Sequence, residues 1–137
     1  MKEVSTIAIL LSTLGLAGTL APIPADAQDK VSVERITLPG PGAVRTVKGR
    51  VRGYDSDEFV FRAEGRRPVT ISFRPDNRSC YFNLMQRGSE DHIFTGSVEG
   101  NVFNGRLEPG RNYRIQTYLM RNAARRNAVC SYTLTMR

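Results

Sequence analysis

From Val31 onward, apolar and polar positions alternate in short runs, each closed by glycine, proline, asparagine or aspartate. A period of two marks a strand with one face against a core. It predicts strands near 31–38, 44–52, 58–63, 69–75, 80–86, 93–98, 102–107, 112–120 and 129–136. The separators, among them Pro39-Gly40-Pro41-Gly42, Gly65-Arg66-Arg67, Pro75-Asp76-Asn77 and Gly100-Asn101, hold the residue types that turns require. Eight or nine short strands at near-regular spacing predict an all-β fold, an antiparallel β-sandwich of jelly-roll-like form with about eight strands. The inward positions nominate a core of Val47, Val51, Phe59, Phe61, Val69, Ile71, Phe73, Phe82, Leu84, Leu107, Tyr113, Ile115, Leu134 and Met136. One stretch breaks the pattern. Residues 121–127, RNAARRN, hold three arginines and no large apolar side chain.

The N-terminus follows another logic. Lys2 precedes an uncharged apolar run, Ile7 to Leu20, and then Ala25-Asp26-Ala27, the small-x-small pattern of a secretory leader. The run is too short to cross a bilayer, which takes about 20 residues. The expectation is a leader at 1–27 cleaved after Ala27, and one β-sandwich domain at 28–137 with no transmembrane segment, periplasmic or secreted. Without Lys2, Glu3 and Asp26, the 20 basic and 13 acidic residues become 19 and 11, a formal charge of +8. Seventeen of the 19 are arginine. Its planar fork pairs bidentately with carboxylates and phosphates, so the bias suits anionic partners; a merely solvated basic surface is the plainer reading of most of them. In an oxidising compartment Cys80 and Cys130 can pair, and export favours that bridge over two free buried thiols.

Catalytic chemistry is thin. His92 is the only histidine and has no second histidine or cysteine at ligand spacing, so no metal site is expected. No Gly-x-Ser-x-Gly elbow is present to build a serine nucleophile. No catalytic residue, enzyme activity or cofactor is assigned. Asp55, Asp57 and Glu58 could gather Ca²⁺, but the segment lacks the other ligands of a calcium loop and suits a turn leading into a strand. Asn77-Arg78-Ser79 matches a glycosylation sequon too short to carry weight. Tyr54, beside Gly53 where alternation breaks, has two readings: a ring offered to a partner, or a corner tyrosine that holds the backbone. The arginine stretch has two as well. One helical turn sets Arg121 and Arg125 on the same side, where their repulsion is relieved by an anion between them; alternatively the charges keep a hairpin tip from aggregating.

The stretches GYDSDEFVFRAEGRRPVTISF (53–73) and LEPGRNYRIQTYLMRNAARRNAVCSYTLTM (107–136) resemble the periplasmic inhibitors of g-type lysozyme, through the motifs Gly-Tyr-Asp-x-Asp and Arg-Asn-x-Ala-Arg. The resemblance covers about half of the mature chain. It implies a β-sandwich that inserts an arginine loop and a nearby tyrosine into the lysozyme's substrate cleft, and it carries the partner-binding roles to Arg121, Arg125 and Tyr54, with Asp55, Asn122 and Arg126 as supporting residues. The family places an acidic residue where this chain has Ala123. The implied partner is a g-type lysozyme or a related lytic glycosidase. The rival reading is a cell-envelope module whose basic surface meets anionic glycans or lipopolysaccharide. Nucleic acid is not expected as a partner of an exported chain.

Overall fold

A computed structural model describes residues 29–137. The expected leader and its cleavage after Ala27 lie outside the described residues. Among the described residues nine strands form: β1 (Val31–Arg35), β2 (Arg45–Arg52), β3 (Ser56–Arg62), β4 (Pro68–Pro75), β5 (Cys80–Gln86), β6 (His92–Thr95), β7 (Val102–Arg106), β8 (Asn112–Leu119) and β9 (Val129–Met136). Two single helical turns interrupt them, α1 (Gly96–Glu99) and α2 (Arg121–Ala124). The strands make a five-stranded sheet in the order β1-β3-β8-β5-β6 and a four-stranded sheet in the order β2-β9-β4-β7. The all-β sandwich expected from the alternation is present.

The first strand, expected at 31–38, ends at Arg35, and two further details differ from the expectation. The pairing is antiparallel throughout except for β1 with β3, which is parallel from Val31↔Ser56 to Arg35↔Val60. The chain leaves β1, forms β2 in the other sheet and returns through a tight turn, so β3 runs the same way as β1. Every β1 side chain is exposed, so this edge strand is held by its backbone and not by the core. The strand expected at 93–98 ends at Thr95. There the Glu99 carboxylate accepts the Thr95 N–H at 2.6 Å, and the buried Asn83 side chain accepts the Gly96 N–H at 3.2 Å, which together turn the chain into α1.

All fourteen nominated core residues are buried. Through them runs a line of aromatic contacts linking both sheets: Phe59–Tyr132, Tyr132–Phe73, Phe73–Phe82, Phe82–Phe94 and Phe94–Phe103, with ring centroids 4.9 to 6.4 Å apart. Each such pair contributes about 0.5–1.5 kcal/mol beyond its buried area. Val60 and Met85 are buried out of phase, on the outer face of the five-stranded sheet. Arg114 lies over Met85 there, held by Glu58 at 3.1 Å and Glu90 at 3.6 Å. Cys80 and Cys130 form a disulfide with Cα atoms 6.3 Å apart, joining the first residue of β5 to β9 and so one sheet to the other.

Tyr132 carries the one hydroxyl in that aromatic line. It is 4% exposed and donates to the Asp57 carboxylate at 2.5 Å. Burial first, then this hydrogen bond, push its pKa well above the ordinary value of 10. A folded-state value above the unfolded one gives stability that is complete below about pH 10 and is lost as pH rises beyond it. One such group removes about 1.4 kcal/mol per pH unit. Between about pH 9 and pH 11, denaturant midpoints of the wild type should therefore fall more steeply than those of Tyr132→Phe. Parallel slopes would remove Tyr132 as the cause.

Candidate partner-binding site

β8 and β9 are consecutive in the chain but belong to different sheets, so residues 120–128 must cross one end of the sandwich. Alanine and arginine favour a helical turn. α2 starts on Met120, whose carbonyl accepts the N–H groups of Ala123 and Ala124, both at 2.9 Å. It closes with Asn127 N–H donating to Ala124 O at 2.9 Å and Ala128 N–H to Ala123 O at 3.2 Å. That pair of bonds is a Schellman closure, which needs a left-handed residue at its corner; Asn127 takes that place with φ 54°. Ala123 and Ala124 are 1% and 3% exposed, small enough to seat the turn on the core. Arg121, Asn122, Arg125 and Arg126 consequently face outward and are exposed.

The β2–β3 turn lies against the back of this loop. Gly53 N–H donates to Ala128 O at 2.9 Å. Gly53 has φ 57°, and a Cβ there would meet Asn127 Oδ1 at 3.0 Å, so the close approach requires glycine. Tyr54 follows directly and is 49% exposed. Among the described residues its hydroxyl has no hydrogen-bond partner. The backbone-holding role belongs to Tyr113, whose hydroxyl accepts the Glu108 N–H at 2.9 Å. Asp55 secures the turn by accepting the Lys30 N–H at 2.8 Å, and Asn122 Oδ1 accepts the Ala123 N–H at 2.8 Å.

The structure thus brings Tyr54, Arg121 and Arg125 to one end of the sandwich, with Asp55, Asn122 and Arg126 beside them. No salt bridge among the described residues involves Arg121, Arg125 or Arg126, whereas Arg111 and Arg114 are paired with carboxylates. Two like charges four residues apart, without a neutralising carboxylate, favour an incoming anion. The acidic cluster after Tyr54 separates instead of converging. Asp55 meets Lys30, Asp57 meets Tyr132 and Glu58 meets Arg114. Among the described residues no group of three or more His, Cys, Asp or Glu side chains could hold a metal ion.

Two supports were not legible in the sequence. Asp76 accepts the Ser131 N–H through its carboxylate and donates its own N–H to Ser131 O, both at 2.9 Å. Asn77 donates to Val129 O at 3.1 Å and accepts the Ser79 N–H at 2.9 Å. Ser79 O in turn accepts the Met120 N–H at 2.8 Å. The turn at 76–79 therefore pins both feet of the arginine loop, and the disulfide lies beside it. Pro75-Asp76-Asn77 announces a turn; its partners more than 50 residues away could not be read from it. With its amide engaged on both sides, Asn77 is a structural latch and not a free glycan acceptor.

The exposed arginines and the exposed tyrosine thus share one end of an all-β sandwich. Neither a protein-family model nor a curated protein sequence matches the chain. Similar solved structures include a periplasmic inhibitor of g-type lysozyme from Aeromonas hydrophila, with TM-score 0.68 and 22% identity, over 80% of this chain and 97% of that one. The inhibitor of g-type lysozyme from Salmonella Typhimurium aligns with TM-score 0.57 and 18% identity, over 77% of this chain and 96% of that one. The pre-peptidase C-terminal domain of a Bacillus anthracis collagenase aligns with TM-score 0.60 and 21% identity, over 80% and 97%. At these identities the likeness establishes the shared sandwich, and the collagenase domain has it too. Function must be argued from the site.

Proposed function

We propose that this chain is a periplasmic or secreted inhibitor of g-type lysozyme, without enzymatic activity of its own, which places its arginine loop and Tyr54 in the lysozyme's substrate cleft. The observation that carries this reading is the clamp between the Tyr54 turn and the loop, with Arg121 and Arg125 lacking carboxylate partners among the described residues. Two of the sandwiches named above are themselves inhibitors of g-type lysozyme, which supports the same choice.

The mechanism follows from glycosidase chemistry. Cleavage of the glycan needs a carboxylic acid kept protonated by a raised pKa. A guanidinium against it favours the ionised form and lowers that pKa. Arg121 or Arg125 makes this contact while Tyr54 packs on the cleft wall as a rigid anchor and the loop fills the sugar subsites. The acidic residue the family carries at the position of Ala123 is not needed here. Ala123 is buried, and the loop is held by its Schellman closure and by the 76–79 latch.

The test adds purified protein to g-type lysozyme during cell-wall lysis, beside chicken-type and invertebrate-type enzymes. Wild type should slow the g-type enzyme. Arg121→Ala, Arg125→Ala and Tyr54→Ala should each weaken inhibition, the arginine that meets the acid by about 30-fold, near the lower end of the cost of truncating one partner of a desolvated pair. Lysis unchanged by the wild-type protein would end the inhibitor reading.

A further inference from the structure

At the opposite end of the sandwich the turn at 63–67, between β3 and β4, is clasped to the turn at 107–111, between β7 and β8. Ala63 N–H donates to Arg111 O at 2.9 Å, and Gly110 N–H donates to Ala63 O at 2.8 Å. Six arginines gather around this clasp. Arg35, Arg62 and Arg67 border a cavity of about 440 Å³ whose walls include Ile36, Leu38 and Phe61. Arg66, Arg106 and Arg111 border a second cavity of about 470 Å³. The carboxylates bordering the two cavities are Glu64 and Glu108, and Arg111 already holds Glu108 at 3.1 Å. Arg67 and Arg106 donate to backbone carbonyls, those of Pro39 and Arg66 respectively. Carbonyl partners orient a guanidinium group without neutralising it.

We propose that this pole binds the phosphate groups of an anionic lipid surface and leaves the arginine loop facing away from it. Guanidinium forks match phosphate oxygens bidentately. The first cavity adds an apolar wall beneath three of the arginines, which suits a ligand whose phosphate adjoins hydrocarbon better than a wholly hydrophilic polyanion. The two ends act separately. Strands of eight residues span roughly 25 Å, about three Debye lengths at physiological salt, so the field of a bound surface hardly reaches Arg121. This proposal stands apart from the inhibitor reading: a protein that left every lysozyme untouched would still be open to it.

The experiment measures co-sedimentation of the purified protein with vesicles of phosphatidylcholine alone, or with about one-third phosphatidylglycerol. Two triple variants of equal charge are compared: Arg62→Gln with Arg66→Gln and Arg106→Gln, and Arg121→Gln with Arg125→Gln and Arg126→Gln. Wild type should prefer the anionic vesicles at least tenfold. The first variant should lose about tenfold or more of that binding, and the second about twofold or less. Equal binding of wild type to both vesicles, or equal losses in the two variants, overturns the proposal. Hydrogen exchange on the wild type gives an answer even if a variant fails to fold. Anionic vesicles should slow exchange at 63–67 and 107–111, and protection confined to 121–127 would place the contact at the wrong end.

Discussion

Replacing both Cys80 and Cys130 by alanine should lower the unfolding free energy by about 4 kcal/mol. The bridge spans 50 residues of sequence, and closing a loop of that size in the unfolded chain removes entropy worth about that much. Against a typical domain stability of roughly 5–15 kcal/mol this is a large share. The effect should also be uneven in space. Cys130 follows Ala128 by two residues, and Cys80 follows the 76–79 latch directly, so the arginine loop loses its nearest covalent anchor. Urea denaturation of wild type, of wild type with reductant and of the alanine pair should show two destabilised samples of similar midpoint. Hydrogen exchange should quicken first at 120–128. Unfolding free energies within about 1 kcal/mol of the oxidised protein's would show that native packing, and not the bridge, holds the two sheets together at this end.

Gly49→Ala should cost roughly 3 kcal/mol, an unusual loss for adding one methyl group to a strand. Gly49 pairs with Tyr132 across β2 and β9, and the tyrosine ring lies over it. A Cβ at Gly49 would fall 2.1 Å from the Tyr132 hydroxyl oxygen and 2.4 Å from its ring carbon. The ring has no room to yield, being packed against Phe59 and Phe73 and bonded to Asp57. Displacing it adds the strain of an overfilled core, about 1–3 kcal/mol, to the loss of a buried hydrogen bond, about 1–3 kcal/mol. A double-mutant cycle with Tyr132→Leu isolates this cause, because neighbours that clash are not additive. In the shortened background Gly49→Ala should be nearly neutral; a full cost there would mean that the glycine is required by its backbone.

The strands and the core were legible because alternation depends only on neighbours in the chain. Phe59 and Phe61, or Ile71 and Phe73, announce an inward face whatever sheet they join. The cysteines could be paired because export and inward phase pointed the same way. What could not be read is everything that depends on which strand lies beside which. Nothing in VSVER foretells a parallel edge strand, since β1 buries no side chain and its partner is chosen by the crossing of β2. The alternation shows Tyr132 as one more apolar position, but its hydroxyl meets Asp57 only because β3 and β9 face each other across the core. At the site, the motifs marked Tyr54, Arg121 and Arg125. The alanines between the arginines read as helix formers, whereas their main work is to be small enough for the turn to sit on the core.

β9 lies in the middle of the four-stranded sheet, paired on one side with β2 and on the other with β4. Until residues 129–136 are available, β2 has no neighbour in its sheet, Cys80 has no partner and the arginine loop has no second foot. Assembly therefore waits on contacts between distant parts of the chain, which makes folding slow and cooperative. Such a delay keeps the leading segments extended and leaves the arginine loop unformed until the last strand is in place.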